Sequence, residues 1–348
     1  MTSFAELTTT RVGGSARTVI EARSRAELID AYTGIETYEP VLVLGEGSNT
    51  IVGDDGFDGT VILVRSQGIE TLNDDGRTVD VRVQAGHNWD AFVAWAIDNG
   101  LAGVEGMSGI PGTVGAAPVQ NIGAYGQELE SVILGVEFLE AGENAPVALA
   151  ASELGFAFRT SIFKQGRQGI ILSVDLRLTR AAVGGALAIS EPIAYEQLAT
   201  ALGLNLGETA ELQVVRERVL ELRRSKGMLL DDNDADTNST GSFFMNPIVR
   251  TSFALDLPAE SPRWPVGDDG KLVKLSAAWL IENAGVPKGF SLPGSRASVS
   301  TKHTLALTNR GGASTEEVLE LARYIQAVVQ SNFGLILQPE AMLINAEI

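Results

Sequence analysis

Two glycine-rich segments of this chain could hold an anionic ligand on main-chain N–H groups. Gly45-Glu-Gly-Ser-Asn49 directly follows an apolar run, and the segment 103–126 contains seven glycines without helical or strand periodicity. Glycine allows positive φ, and successive N–H groups can then surround an anion. A lone short glycine loop is more often a tight turn, whereas a long, glycine-dense loop is usually functional. The pair predicts a ligand with several phosphates or a long extended shape.

Several common chemistries are excluded by what the sequence lacks. The first loop has no third glycine of the dinucleotide fingerprint and no helical pattern after it, and no G-x-x-x-x-G-K-[ST] motif occurs. With no cysteine, the chain has no thiolate nucleophile, disulfide, Cys-ligated zinc or iron–sulfur cluster. His87 and His303 are the only histidines, which argues against histidine-rich metal sites and most catalytic triads. We therefore expect no metal.

Composition narrows the class of protein further. The 348 residues are 45% hydrophobic with a mean hydropathy of +0.11, which predicts a globular protein of two or three domains. Against 26 basic residues stand 44 acidic ones, so the net charge of −18 disfavours nucleic acid and anionic membranes as partners. No stretch approaches the ~18 apolar residues of a membrane-spanning helix, and MTSFAELTTT lacks a signal-peptide pattern. We expect a cytoplasmic location.

The order of several short motifs gives the chain a resemblance to a known family. Gly109-Ile-Pro-Gly-Thr-Val-Gly115, followed by Pro118-Val-Gln-Asn-Ile-Gly-Ala-Tyr-Gly126, is similar to the flavin-binding signature of the UDP-N-acetylenolpyruvoylglucosamine reductases. The other motifs are weak singly, but together they span nearly the whole chain in the family's order. They are Arg11-Val-Gly-Gly14, Gly45-Glu-Gly-Ser-Asn49, Phe158-Arg159-Thr-Ser-Ile-Phe-Lys164, Gly241-Ser-Phe-Phe-Met-Asn-Pro247, Ala278-Trp-Leu-Ile281 and Pro339-Glu340.

The resemblance implies a fold, a reaction and cofactors. The fold would be α+β, with a two-part FAD-binding region of the vanillyl-alcohol-oxidase/PCMH-like type and a C-terminal α+β substrate domain. Members reduce UDP-N-acetylglucosamine enolpyruvate to UDP-N-acetylmuramate in peptidoglycan precursor synthesis, with non-covalent FAD passing a hydride from NADPH. The loops 45–49 and 109–115 would hold the FAD pyrophosphate on N–H groups. The implied flavin-binding residues are Gly45, Glu46, Gly47, Ser48, Asn49, Gly109, Ile110, Pro111, Gly112, Thr113, Gly115, Asn121, Gly123 and Tyr125.

The resemblance also implies the reacting residues. Hydride addition to C3 of the enolpyruvyl group leaves negative charge that extends from C2 into the carboxylate, and C2 then needs a proton. Ser242 would supply that proton, and Arg159 and a protonated Glu340 would stabilise the enolate. Phe158 stands where a tyrosine is frequent, so a hydrogen bond available in some relatives is missing beside Arg159.

Substrate-binding residues follow from the same comparison. Tyr195 resembles the tyrosine on the movable substrate loop of the longer subtype, and Lys226 and Asn246 would join it at the diphosphate. Lys226 is followed by Gly-Met-Leu-Leu-Asp rather than Leu-Pro-Asp-Pro, so the loop 227–240 departs from the family pattern. Its alternating aspartates, 232 to 236, lack the glycine and glutamate of a calcium loop, and we interpret this as a solvated acidic loop. With Lys226, arginines 216, 218, 223 and 224 form a basic run that could meet the anionic substrate, and most of them are interpreted as solvated helix positions.

Regular elements must position these residues. Apolar runs and alternation predict strands at 41–44, 61–64, 79–85, 132–139, 169–178 and 333–338. Caps and apolar stripes predict helices after Ser24, over 89–99, 208–224 and 276–283, and after Ser314. We expect FAD-binding subdomains at 1–66 and 67–206 and a substrate-binding domain at 207–348, with the last strand and Glu340 returning to the flavin.

Two other functions remain open at this stage. A flavin-dependent carbohydrate oxidase could share the flavin fold, and Ala85-Gly86-His87 adds some weight to it. Such oxidases often tether FAD through a histidine in the first pyrophosphate loop, and residues 45–49 contain none. A non-catalytic nucleotide-sugar binding protein would have no use for the Ser, Arg and Glu constellation. A visible spectrum distinguishes these alternatives, because acid-releasable flavin fits the reductase alone.

Overall fold

The computed structural model describes residues 2–36, 38–184, 187–267 and 269–348, and they form two compact units. The central unit consists of Arg17–Glu46 and Asp58–Ser225. The terminal unit consists of Met1–Ala16, Gly47–Phe57 and Lys226–Ile348, so it contains both ends of the chain. The functional division at 66 and 206 stays a prediction.

The central unit is built on two sheets. Its parallel pair Val41–Leu44 and Phe57–Val64 is extended by Ala16–Ala22. The larger sheet is antiparallel, and the strand Leu101–Ala102 pairs with its middle strand. Its strands lie in the order Val147–Ala150, Ile133–Glu140, Gly169–Arg180, Thr78–Gln84 and Ile69–Asp74. The short pairs Gly123–Ala124 with Gln127–Glu128 and Ala182–Gly184 with Leu187–Ile189 complete the strands of this unit that the structure describes.

Helices of the central unit begin at polar caps and bury apolar faces. Ser24 accepts the N–H of Glu27 at the start of Arg25–Thr33, and Asn88 accepts that of Ala91 at the start of Trp89–Asp98. Trp89–Asp98 buries Trp89 and Phe92 in the main core, and burial of side chains of this size contributes ~1.5–3 kcal/mol each. The remaining helical segments are Glu196–Leu202 and Leu212–Ser225, with 3₁₀ turns at Glu105–Met107, Val114–Val119, Leu129–Ser131 and Ala151–Glu153.

The terminal unit packs a long helix beside small sheets. Ser314 and Glu317 form a capping box at the start of Thr315–Phe333, which buries an apolar face in the core of this unit. The strands Ile248–Arg250, Leu272–Leu275 and Arg263–Val266 form one sheet, and Ala297–Val299 pairs with Leu307–Asn309. Met342–Ile344 runs parallel to Thr50–Val52. The other helical segments are Phe4–Leu7, Ala235–Thr237, Thr251–Leu255 and Ala277–Asn283.

Most predicted elements are confirmed, with two clear exceptions. The strand predicted at 333–338 is wrong: the helix extends to Phe333, and the last strand is Met342–Ile344. Leu335 and Leu337 are buried in alternation, which imitates a strand, but they lie in a segment without regular pairing. The helix predicted from 208 begins only at Leu212. Across the described helices, none is both long and apolar enough to cross a membrane.

Candidate active site

The two glycine loops approach each other within the central unit at Gly45 and Thr113. A Cβ on Gly45 would lie 2.5 Å from Thr113 Oγ1, so only glycine permits this approach. Glu46 follows directly, and its carboxylate accepts hydrogen bonds from Asn88 Nδ2 at 2.8 Å and from the N–H of Gly112 at 3.0 Å. Glu46 therefore ties the first loop to the second through its side chain.

Much of the second loop already uses its N–H groups inside the protein. Gly109 donates to Asp90 Oδ1 at 2.6 Å, Gly112 donates to Glu46, and residues 114 and 115 donate to the carbonyls of residues 87 and 85. Thr113 differs, because its N–H makes no hydrogen bond to another of the residues that the structure describes. Among the described residues 109–115, this leaves the N–H and the hydroxyl of Thr113 as the candidate donors to an anion.

Charged side chains bind the main chain of the second loop, a role that the sequence patterns did not predict. Asp90 accepts two hydrogen bonds from Arg216, at 2.6 and 2.8 Å, besides the N–H of Gly109. Arg223 Nε donates to the carbonyl of Gly109 at 3.0 Å. The prediction that these arginines are solvated is wrong for Arg216 and Arg223. Their seven-residue spacing places them on one face of Leu212–Ser225, which is the signal that could have found them.

Arg159 lies in a strained segment of the central unit. It has a φ of +55°, and Asn121 and Tyr125 each have a φ of +48°, a region that residues other than glycine seldom adopt. Its guanidinium donates to the carbonyls of Asn121 at 3.2 Å and Gly123 at 2.7 Å. The guanidinium carbon also lies 5.3 Å from the centre of the Phe158 ring. At the position where the family often has a tyrosine, Phe158 thus makes a cation–π contact with Arg159. Strain of this kind clusters at functional sites.

Tyr195 lies beside Tyr125 in the same unit. Their ring centres are 5.7 Å apart with an interplanar angle of 86°, an edge-to-face contact. Burial raises the pKa of the Tyr125 hydroxyl, while the positive charge of Arg223 acts in the opposite direction. Tyr195 is 43% exposed and directly precedes the helix Glu196–Leu202. Tyr195 is therefore accessible from solvent.

In the terminal unit, main-chain hydrogen bonds bring the segments of Ser242 and Glu340 together. The N–H of Glu340 donates to the carbonyl of Phe243 at 2.7 Å, and Phe244 forms a bridge with Pro339. Phe243 in turn donates its N–H to the carbonyl of Leu305 at 2.7 Å. The buried rings of Phe243 and Phe244 pack edge to face and anchor the segment. Ser242 and Glu340, almost 100 residues apart in sequence, are thus neighbours along two paired segments.

The same segment leads back to the first glycine loop. Asn49 Nδ2 donates to the carbonyl of Glu340 at 3.3 Å, and the N–H of Met342 donates to the carbonyl of Asn49 at 2.9 Å. The pairing continues as the parallel strands Thr50–Val52 and Met342–Ile344. A Cβ on Gly47 would lie 2.3 Å from the carbonyl oxygen of Leu7, so this end of the loop also requires glycine.

Two predicted substrate residues lie in the terminal unit. Asn246 Oδ1 accepts the N–H of Ala277 at 2.9 Å, which leaves the amide nitrogen of Asn246 as its donor towards a ligand. Lys226 is half-buried, and its charge acts on His303. Burial, followed by the charges of Lys226 and Lys288, lowers the pKa of His303 to about 4, with Glu282 acting in the opposite direction. His303 Nδ1 accepts the N–H of Leu305 at 3.2 Å, as a neutral imidazole can.

The acidic loop is only partly solvated, which corrects the interpretation from sequence. Asp232 is exposed and pairs with Arg11, and Asp234 pairs with Lys302. Asp236 is 3% exposed, and it accepts hydrogen bonds from the N–H of Thr301 at 2.9 Å and from Arg310 at 2.8 Å. Among the described residues, no cluster of His, Asp or Glu could hold a metal ion.

Family models match most of the chain. Residues 16–144 match the FAD binding domain, and residues 233–344 match the UDP-N-acetylenolpyruvoylglucosamine reductase, C-terminal domain. A crystal structure of UDP-N-acetylenolpyruvylglucosamine reductase from Thermus caldophilus has a TM-score of 0.64 and 26% sequence identity, covering 99% of this chain and 97% of that one. The predicted α+β class is confirmed, with an FAD-binding domain and a C-terminal domain of the reductase type.

Relatives resemble the chain over nearly their full length. The UDP-N-acetylenolpyruvoylglucosamine reductase of Leifsonia xyli subsp. xyli is 47% identical over 99% of this chain and 98% of its own. That of Thermobifida fusca is 45% identical over 98% of this chain and 96% of its own. Identity this high over this share of both sequences establishes a common family. The chain belongs to the UDP-N-acetylenolpyruvoylglucosamine reductase family.

Proposed function

We propose that this protein is an FAD-containing, NADPH-dependent oxidoreductase that reduces UDP-N-acetylglucosamine enolpyruvate to UDP-N-acetylmuramate for peptidoglycan synthesis. One observation carries the proposal: the pairing of 243–245 with 338–340 places Ser242 and Glu340 on adjacent segments, and Asn49 joins that pair to the first glycine loop. The proposal includes a cytoplasmic location, FAD-binding subdomains at 1–66 and 67–206, and a substrate-binding domain at 207–348.

The residues present fit a bound FAD. Glycine is required at Gly45 by the approach of Thr113, and Thr113 offers an N–H without another described acceptor, which suits one oxygen of a pyrophosphate. Residues 46–49 would supply further N–H groups, and Asn121, Gly123 and Tyr125 would lie near the cofactor. When bound, FAD would accept a hydride from NADPH and deliver it to C3 of the enolpyruvyl group.

The chain's own residues would complete the reduction. Arg159, held by the carbonyls of Asn121 and Gly123, would offset the negative charge that spreads from C2 into the substrate carboxylate. Glu340 in its protonated form would donate a hydrogen bond to the same enolate. The Ser242 hydroxyl would transfer its proton to C2, which completes a saturated ether, because the enolate carbon is a strong base.

The diphosphate of the substrate requires separate donors in an acidic protein. Tyr195 would donate its exposed hydroxyl, Asn246 its amide N–H, and Lys226 its ammonium group. These three contacts would hold the substrate by a part that does not react. The binding energy of such remote groups orients the reacting centre.

Anaerobic spectroscopy tests the proposal directly. The purified protein should be yellow and should release its flavin in acid, and one equivalent of NADPH should bleach it. Adding the enolpyruvyl substrate should then restore the flavin absorbance and form UDP-N-acetylmuramate. Flavin that stays attached after acid treatment would favour the carbohydrate oxidase, and a colourless protein that binds the nucleotide sugar would favour a simple binding protein.

A further inference from the structure

The peptide groups around Gly109 are fixed by charged side chains from two sides. Asp90 accepts the Gly109 N–H at 2.6 Å, and Arg223 donates to the Gly109 carbonyl at 3.0 Å. Hydrogen bonds in which one partner is ionised are stronger than neutral ones. Gly109 has a φ of +71° and opens the proposed flavin loop, so its orientation determines where that loop begins.

These charges form one partly buried cluster. The Arg216–Asp90 pair is bidentate, and the Arg216 side chain is 13% exposed. Burial acts to raise the pKa of Asp90, but the hydrogen bonds of Arg216 and Gly109 and the charges of Arg216 and Arg223 leave the pKa below its ordinary value. Burial lowers the pKa of Arg223, which is 9% exposed, while the charges of Tyr125 and Asp90 act in the opposite direction. A buried charge of this kind is retained only with good partners.

The helix that carries both arginines also supports the proposed substrate loop. Val215 and Val219 of Leu212–Ser225 pack in one apolar cluster with Ile193 and Leu198, which lie on either side of Tyr195 in sequence. Tyr125 packs against the same cluster, and its ring contacts Tyr195. One rigid helix therefore presents Arg216 and Arg223 to the flavin loop and apolar residues to the substrate loop.

We propose that Arg223 is a positioning residue that fixes the flavin loop at Gly109 and, through its helix Leu212–Ser225, the position of the substrate-loop Tyr195. Asp90 and Arg216 complete the cluster. This inference rests on the proposed function, because it takes the roles of the two loops from it. Loss of Arg223 should weaken FAD binding and substrate binding together. A positioning role of this kind requires no contact between Arg223 and the reacting atoms of FAD or the substrate.

The test compares Arg223→Met with Arg224→Met. Arg224 is the exposed neighbour on the same helix, so its replacement removes the same charge without the buried contact. FAD dissociation constants are measured by flavin fluorescence on apoprotein, and the substrate KM and kcat on FAD-saturated enzyme. For Arg223→Met we expect both the FAD dissociation constant and the substrate KM to rise about tenfold to a hundredfold, as for a lost charge-assisted hydrogen bond, with a smaller change in kcat. Arg224→Met should match the native protein.

A second variant keeps the proposal testable if Arg223→Met does not fold. Arg223→Lys retains the charge and one donor, so it should fold and recover part of both affinities. The proposal is overturned if Arg223→Met, or Arg223→Lys where only that variant folds, binds FAD and substrate as Arg224→Met does. It is also overturned if kcat alone falls. A failure of the proposed function would look different, because the native protein itself would then carry no flavin or leave the enolpyruvyl substrate unreduced.

Discussion

The proposed flavin loop and the proposed reacting pair are held in place by different kinds of interaction. In the central unit, the peptide groups of Gly109 and Gly112 are bound by Asp90, Arg223 and Glu46, which are ionisable side chains. In the terminal unit, Ser242 and Glu340 are set by main-chain bonds between 243–245 and 338–340. Single substitutions can therefore dislodge the first region, whereas the second should keep its shape when its reactive side chains are changed.

The difference predicts which kind of variant affects which step. Variants of Asp90, Arg223 or Glu46 should alter the binding of FAD, because these side chains determine where the flavin loop lies. Variants at Ser242 and Glu340 should alter chemistry and leave the fold intact, because main-chain hydrogen bonds hold the two segments together there. The following experiments test this separation, from the largest expected effect to the smallest.

Ser242→Ala should lower kcat by ~10²–10⁴, the range expected for the loss of an acid catalyst. The protein should still bind FAD and be bleached by NADPH at the native rate, because flavin reduction does not use this proton. Stopped-flow absorbance separates the two half-reactions. Turnover near the native value would remove Ser242 from the mechanism.

Replacement of Glu340 should reveal how its carboxyl group acts. Glu340→Ala should lower kcat by ~10²–10³, the usual effect of deleting one donor to a developing oxyanion, whereas Glu340→Gln should retain part of the activity because its amide still donates. Glu340→Asp withdraws the group by one methylene and should also lose activity, and NADPH should bleach all three variants normally. If Glu340→Gln and Glu340→Ala lose the same amount of activity, Glu340 acts by proton transfer rather than by donating a hydrogen bond.

Tyr195→Phe should raise the substrate KM by about tenfold to a hundredfold, because a hydrogen bond to a charged group contributes ~1.5–3 kcal/mol. The ring contact with Tyr125 should survive, since phenylalanine keeps the aromatic edge. Initial-rate kinetics with native enzyme as the reference measure the change. An unaltered KM would show that Tyr195 makes no hydrogen bond to the diphosphate.

Stability should fall as the pH decreases from about 6.5 to about 4, through the titration of His303. Its pKa is about 4 in the folded chain, so in this window the unfolded chain binds a proton that the folded chain does not. The loss should be at most about 3 kcal/mol, from the size of the pKa shift. Thermal unfolding of the native protein and His303→Gln across this range isolates the contribution, and parallel curves for the two would contradict it.

Local pattern was enough to locate most elements and the candidate residues. Alternation and apolar runs located three strands of the larger central sheet, at 79–85, 132–139 and 169–178, and Ser24 and Ser314 lie where helices begin. They succeeded because caps and periodicity act between residues close in sequence. The glycine segments marked loops for the same reason. The strand at 333–338 failed because alternating burial does not by itself supply a hydrogen-bonding partner.

Only the tertiary structure decided which residues meet. Nothing local to Glu340 predicts that its N–H bonds to Phe243 or that Asn49 reaches its carbonyl, because those partners come from distant parts of the chain. The same holds for Arg223: a charged residue on an amphipathic helix is ordinarily solvated, and its burial depends on Gly109 and Asp90 lying opposite. Sequence thus determined which groups are available for chemistry, and packing of distant segments determined which of them are buried, charged and within reach of one another.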